Sequence, residues 1–525
     1  VHATTHDVPS HKSKFTKPII NHKFSTNKQA TQGLKYSESL NQYLAQREQL
    51  IAEEKSIYFN ASVVLNAKEQ QANEILLDLR SQDVQKYQAD FPPSLNFRDA
   101  KPMIDQSPLF KVLKRMPKGG ILHIHMIGGA EFLFYNGTYR DNCYINLGAA
   151  SSQYSKYSYL FTSDGQAPSN EYGAVWQNVM QLRSQAADVK SFDEELFKTL
   201  QFYTPPPEVT ENEMWTYFDQ TIWRLGSLQV YYPVWKASIM DGFQALVDDG
   251  VQHVELRGIG GVYTDDSDID GADMINLWMQ TLDEFNAQSD RKLSMLQIWA
   301  EGRNKNASTV YEDLQDCVNI RREYGDWVVG YDLVDEEDRY NSLYYYLNDF
   351  FNISLYIEEN GDLPLPYFFH AGESSWNSET GEASYNLYDA ILLNTTRIGH
   401  GFALKDFPLL MKMVKERPIP IEICPISNQM LRYLEDIRDH PAVAFLNSGL
   451  QITISPDDPG IYGYQGVSYD YYELFMSWGL DLTGLKVLSQ NGIKYSALPE
   501  SSKQSMLKEW QLMWDEWIDF VVSSQ

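Results

Sequence analysis

From Lys118 onward, short β-rich runs alternate with helix-patterned stretches, and this alternation limits the fold more than any other feature. The runs are GGILHIH (119–125), VQHVELR (251–257), LSMLQIWA (293–300), WVVGYDLV (327–334), PYFFHAGE (366–373), TRIGHG (396–401), IPIEICP (419–425) and LQITISPDD (450–458). Eight strands alternating with helices is the count of an α/β chain closed into a (β/α)8 barrel. An open, doubly wound sheet competes with it. No Gly-rich phosphate-binding turn follows the first run, which lowers that option.

The rest of the chain is organised around this block. Residues 1–36 carry Lys12, Lys14, Lys17, Lys23, Lys28 and Lys35 against Asp7 alone, and read as a flexible basic tail, with a docking arm as the alternative. Residues 37–116 show apolar positions at helical spacing with charges between them, so helices precede the barrel and pack on it or pair with a second copy. The first two runs are about 125 residues apart, where a barrel repeat needs about 30. Residues 131–211, rich in Tyr, Ser and Asn, are therefore an insertion at the catalytic end. The barrel takes 117–130 and 212–500, and 501–525 form a C-terminal helix.

Composition excludes several classes. A chain of 525 residues that is 43% hydrophobic has a large core and is neither disordered nor fibrous. A net charge of −28 repels phosphate backbones, so nucleic acid is not the partner. No apolar run is long enough to span a membrane. Cys143, Cys317 and Cys424 are too few for a disulfide framework and read as buried thiols. The start at Val1, without Met, reads as a processed or trimmed chain whose signal peptide has been removed. Sequons at Asn60, Asn136, Asn306, Asn352 and Asn394 point to a glycosylated, secreted protein.

Polar residues gather at the C-terminal ends of the strands, where barrel enzymes keep their chemistry. His123 and His125, at i and i+2, face the same way. Other strand ends bring His370-Ala-Gly-Glu373, Gly399-His400-Gly401 and Asp457-Asp458-Pro459. A single histidine on an apolar strand is more often a hydrogen-bonded core residue, and Asp-Asp-Pro alone is more often a turn or helix cap. Convergence of four strand ends changes the balance. Three imidazoles and one carboxylate form a set for Zn²⁺ with one position open to water.

The motifs HIH, HAGE, RIGHG, CPISN and SPDDP, in this order, resemble those of the adenosine deaminase family. The N-terminal helices, the lead-in MPKGG and the insertion resemble its secreted subgroup, the adenosine deaminase-related growth factors. The likeness runs from about Ser39 to Ser496. It implies one Zn²⁺ per subunit on His123, His125, His370 and Asp457, with Asp457 also counted among the catalytic residues. His400 would orient the attacking water and accept its proton, Glu373 would protonate purine N1, and Asp458 would bond N7. Gly372 and Trp215 would border the substrate. The reaction implied is deamination of adenosine, or a related adenine nucleoside, to inosine and ammonia. This is not the His/Cys/Cys deaminase type, because Cys424-Pro425 supplies no PCxxC.

Two departures touch the substrate. The family usually places a ribose-facing carboxylate just after HxH, where this chain has Met126 and Ile127. It often reads DLxG at strand four, where this chain has Asp335 in place of the glycine. A 5′-modified adenine nucleoside or nucleotide, such as methylthioadenosine or AMP, is therefore the alternative substrate. Two further readings stay open: an extracellular binding protein that uses the barrel as a scaffold, and another hydrolase on the same metal. An intact ligand set argues against the scaffold alone. The subgroup also implies a homodimer through the N-terminal helices and the insertion, and a cell-surface receptor or glycan met by the insertion. Its insertion carries a disulfide, which Cys143, the only cysteine in 131–211, does not form there.

Overall fold

All eight β-rich runs contain strands in the computed structural model, which describes residues 28–151, 154–163, 165–202, 209, 211–374 and 385–523. In chain order the strands are β1 (Gly119–Ile124), β2 (Cys143–Asn146), β3 (Tyr159–Phe161), β4 (Trp176–Asn178), β5 (Val251–Arg257), β6 (Val262–Tyr263), β7 (Asp268–Ile269), β8 (Ser294–Gly302), β9 (Val328–Val334), β10 (His370–Ala371), β11 (Ile398–His400), β12 (Ile421–Ile423) and β13 (Ile452–Ile454). Two parallel four-stranded sheets have the orders β1-β5-β8-β9 and β10-β11-β12-β13. Parallel bridges Tyr331–Tyr367 and Ile124–Asp457 join the sheets at both edges. The eight strands thus close into a barrel, which excludes the open sheet.

Burial explains the runs. Every residue of β1, β5, β10, β11, β12 and β13 is buried, because side chains fill the barrel on one face and helices cover the other. The helices on the outside include Tyr232–Asp248, Gly271–Gln288, Ala307–Tyr324, Leu347–Asn360 and Leu482–Lys494. The last presses directly on the start of β1. A Cβ on Gly120 would lie 2.6 Å from the Gly492 carbonyl oxygen, so the MPKGG lead-in needs its second glycine for close approach.

After β1 the chain forms the helix Ala130–Thr138, an antiparallel sheet in the order β3-β2-β4, and the helices Val179–Gln185 and Val189–Lys198. Tyr144, Ala174 and Trp176 give this part a small core of its own. The helix Glu211–Gln229 then returns to the barrel mouth. All three cysteines are buried and free.

At the N-terminus the structure departs from expectation. The helix Lys28–Ser56 begins inside the stretch expected to be tail, and residues 1–27 lie outside the described residues. Nor is 37–116 a single segment. The chain divides into compact units at Ile57/Tyr58. From Tyr58 onward the segment belongs to the same unit as the barrel. The helix Ala67–Lys86 starts with a reciprocal capping box between Asn66 and Glu69. It packs on the C-terminal helix Glu500–Ser523, where buried Glu69 accepts hydrogen bonds from Lys486 and from the Trp514 indole. Apolar periodicity in 67–86 is therefore spent on this intramolecular contact.

Candidate active site

β1 carries His123 and ends one residue short of His125, β10 opens with His370, and Asp457 follows β13. Their donor atoms all lie within 4.8 Å of one another. His123 Nε2 is 3.3 Å from His125 Nε2 and 3.2 Å from Asp457 Oδ1, and His125 Nε2 is 3.3 Å from the same oxygen. Ligands bonded at about 2.0–2.1 Å around a tetrahedral ion stand about 3.3–3.4 Å apart. Asp457 Oδ1 is buried and accepts no hydrogen bond from the protein. The donor set therefore fits a tetrahedral cation. Cys424 lies close by as well, but burial pushes its thiol well up, leaving it a neutral and poor ligand.

A buried polar layer sets the imidazole tautomers. His123 donates from Nδ1 to Glu422 Oε2 at 2.8 Å, and His370 from Nδ1 to Asp332 Oδ2 at 2.6 Å, leaving each Nε2 lone pair facing the centre. Arg257 binds Asp332 Oδ2 at 2.8 Å and also pairs with Glu422, while Arg397 bridges Glu422 and Glu255. Burial opposes ionisation of Glu422, but Arg257 and Arg397 overcome it and hold its carboxyl well below the usual range. The sequence reading overlooked this layer. Its signal was the charged residue inside each apolar run, in VQHVELR, GYDLV and IPIEICP, since a buried charge needs a partner.

Proton-handling groups stand beside the four donors. His400 is buried, neutral because burial pulls it well down, and 3.3 Å from Glu373 Oε1 through Nδ1. Asn428 Nδ2 lies 3.1 Å from the same nitrogen. His400 Nε2, 3.8 Å from Asp457 Oδ2, has no hydrogen-bond partner in the protein. Burial, reinforced by Asp457, Glu337 and Asp458, pushes Glu373 well up. Burial and Asp457 do the same to Asp458. Asp457 stays ionised: burial opposes this, but His400, His123 and His125 hold its carboxyl well down. Asp457 (φ 64°) and His400 (φ 58°) both sit in the left-handed region, a strain typical of functional sites.

His125, His370, Glu373, Asp457 and Asp458 line one end of a cavity of about 300 Å³. The helix Glu211–Gln229 supplies the other end through Trp215, Phe218, Asp219, Ile222 and Trp223, the i, i+3, i+4, i+7, i+8 stripe of one helix face. Trp215 donates from Nε1 to the Tyr433 hydroxyl at 3.1 Å, and that hydroxyl donates to the Glu373 carbonyl at 3.1 Å. Met126 and Asp335, one just beyond β1 and the other just beyond β9, also line the cavity. Asp335 has φ 79°, the glycine-favouring region, and its Oδ2 fills the space a Cβ on Gly302 would need. Gly372 does not meet expectation. It is not among the lining residues, and its N–H is donated to Glu337 Oε2 at 3.1 Å, so the backbone turn at φ 79° serves to aim Glu373.

Asp219 was missed by the sequence reading: helical spacing groups it with Trp215, Phe218, Ile222 and Trp223, but does not tell that this face borders a cavity. Burial and then Asp335 push its carboxyl up to about 6, against an ordinary value of 3.8. The folded state binds its proton more tightly than the unfolded chain. Asp219 therefore costs nothing below pH 3.8 and its full penalty above about 6. Asp219→Asn is expected to stabilise the protein by about 1–2 kcal/mol at pH 7 and to leave stability unchanged below pH 4. Chemical denaturation at both pH values checks this; an equal effect at both would sink it.

Residues 230–511 match the family described as "Adenosine deaminase", and residues 26–113 match "Adenosine/AMP deaminase N-terminal". The chain is 36% identical to "Adenosine deaminase 2" of Dictyostelium discoideum over 495 residues, which are 92% of this chain and 88% of that one. It is 34% identical to "Adenosine deaminase 2" of Homo sapiens over 489 residues, 90% of this chain and 92% of that one. Among solved structures, an Arabidopsis N6-mAMP deaminase superposes with a TM-score of 0.54 at 16% identity, covering 76% of this chain and 99% of that one. The last likeness supports the barrel fold.

Proposed function

The chain belongs to the adenosine deaminase family, and on that premise we infer how the barrel mouth works. The protein is an adenosine deaminase, converting adenosine and water to inosine and ammonia. We assign its metal as Zn²⁺, held by His123, His125, His370 and Asp457, on the strength of the three-imidazole, one-carboxylate set. Bound there, zinc would lower the pKa of a water molecule towards neutrality.

This chain's own residues account for the proton movements. Neutral His400 takes the proton from the water whose oxygen adds to purine C6. Protonated Glu373 delivers its proton to N1, so negative charge does not build on the ring. Protonated Asp458 donates a hydrogen bond to N7, an acceptor that an ionised carboxylate would repel. His400 then returns its proton to the amino group, which leaves as ammonia as the C6–N bond breaks, while the C6 hydroxyl gives its proton back to the Glu373 carboxylate and becomes the carbonyl of inosine. The observation that carries the assignment is the meeting, at one end of the cavity, of four metal donors within 4.8 Å of one another with a buried carboxylic acid 3.3 Å from a neutral imidazole. Purified, zinc-loaded protein should consume adenosine, read as loss of absorbance at the adenine band. Loaded zinc with no loss would sink the assignment.

The 5′-modified alternative divides in two. Loss of the ribose-facing carboxylate at Met126 favours an apolar 5′-group. A phosphate is disfavoured, because the described lining away from the reacting centre contains the carboxylates Asp219 and Asp335 and no Lys or Arg. Opposing charges of this kind cost several kcal/mol, so kcat/KM for AMP should fall about 100-fold or more below adenosine. Equal rates would overturn that exclusion.

No helix of the described residues is long and apolar enough to cross a membrane. We read the protein as secreted and glycosylated, on its five sequons, with the insertion meeting a receptor or glycan. We read it as a homodimer through the helix Lys28–Ser56, supported by exposed Leu40, Tyr43, Leu44, Leu50 and Ile51 along that helix. Light scattering should give twice the chain mass, and Leu44→Glu with Ile51→Glu should halve it.

A further inference from the structure

A second cavity, of about 220 Å³, lies behind Met126. It shares only His125 and Met126 with the substrate cavity, so the Met126 side chain is the partition between them. Its wall is apolar: Trp235, Ile239, Leu256, Ile259, Met274 and Trp278. Polar groups on its border direct their donors elsewhere. Gln229 Nε2 binds the Ile127 carbonyl at 2.8 Å, and the Trp278 indole binds the Ile259 carbonyl at 3.0 Å. Arg257 is held by Asp332 and Glu422. Four glycines share the lining, and a Cβ on three of them, Gly226, Gly258 and Gly260, would meet nothing within 4 Å. The space is therefore open beside these glycines, and the side-chain donors of Gln229, Trp278 and Arg257 on its border are already engaged.

We propose that this side cavity is a subsite for an apolar substituent on the ribose of an adenine nucleoside. The proposal rests on the deaminase assignment and specifies its substrate class. His370, His400, Glu373, Asp457 and Asp458, which surround the reacting C6, N1 and N7, are absent from the lining of the side cavity. A group that enters it must leave the substrate from the end remote from the reaction, which is the sugar. A partition made of one unbranched, flexible thioether side chain can swing aside without moving backbone. The apolar wall then receives an alkylthio or alkyl group and rejects a phosphate or a carboxylate, whose desolvation nothing there would offset.

Gly226 lies in the helix Glu211–Gln229 with open space at its Cβ, so Gly226→Leu fills the side cavity from a helical position that tolerates leucine. Met126→Ala instead merges the two cavities. With zinc-loaded proteins, kcat/KM is measured for adenosine, 5′-deoxy-5′-(propylthio)adenosine and N6-propyladenosine. Gly226→Leu should lower the propylthio-to-adenosine ratio by about tenfold or more, and Met126→Ala should raise it, with the N6-propyl ratio unmoved by either. If Gly226→Leu does not fold, Met126→Ala alone decides. Adenosine turnover with unchanged ratios overturns the subsite and leaves the deaminase assignment standing. A shift in the N6-propyl ratio in place of the propylthio ratio overturns the ribose placement. A wild type that turns over none of the three overturns both.

Discussion

Glu373→Gln is expected to lower kcat for adenosine by about a thousandfold while leaving zinc content and fold unchanged. The amide keeps the shape of the side chain and can hold a hydrogen bond to N1, but has no proton to give. Addition at C6 without protonation at N1 places a negative charge on the ring in a pocket that already contains ionised Asp457. The same argument fixes a sign for pH. Glu373 acts as an acid and its pKa is raised, first by burial and then by Asp457, Glu337 and Asp458. Activity should therefore hold as the pH passes the ordinary glutamate range and fall on the alkaline side, as the proton is lost. A variant that keeps more than a tenth of the wild-type kcat would remove Glu373 from the proton-donor role.

Removing the metal with a chelator should abolish turnover, and added zinc should restore it in the wild type but not in His370→Ala. Asp332→Asn is the more discriminating variant. Asp332 supplies no donor atom to the proposed metal; it fixes His370 through the 2.6 Å bond to Nδ1. Loss of that charge should weaken zinc affinity by about 10–100-fold, with activity recovered at high zinc. Titration of the apoprotein with zinc reads this directly. Asp332→Asn with wild-type affinity would mean that the buried polar layer serves packing alone.

The barrel and the reactive residues were legible in the sequence for a common reason. Barrel strands are short, apolar and evenly repeated, so a polar residue at a strand end, such as His400 or Asp457, stands out against its run. Asp332 and Glu422 broke the same pattern from inside the strands, yet their partners lie on other strands, so sequence distance hid the pairing with Arg257. Asp219 was hidden differently. Its helix follows the insertion, and only the barrel mouth tells which face of a helix borders a cavity. Gly372 reads like a contact residue in the HAGE motif, but its N–H belongs to Glu337, 35 residues upstream. The extent of the N-terminal helix was misjudged because lysines and small polar residues in 28–36 are as compatible with a solvated helix as with a tail.

The bridge between Ile124 and Asp457 closes the barrel at the very place where the metal donors meet. His123 and His125 flank Ile124 on one side of that seam, and Asp457 is the bridge partner on the other, about 330 residues later in the chain. During synthesis, three imidazoles are complete long before the carboxylate exists, and no earlier stretch of chain can substitute for the last strand. On the proposed assignment, a nascent protein thus cannot complete its metal-donor set until nearly the whole barrel has emerged. Once it does, the ion ties the first strand to the eighth, closing a loop whose entropy the backbone bridge alone must otherwise overcome. Metal uptake is then a late checkpoint on assembly: chains truncated before β13 should be marked by failure to retain zinc before any failure of catalysis is seen.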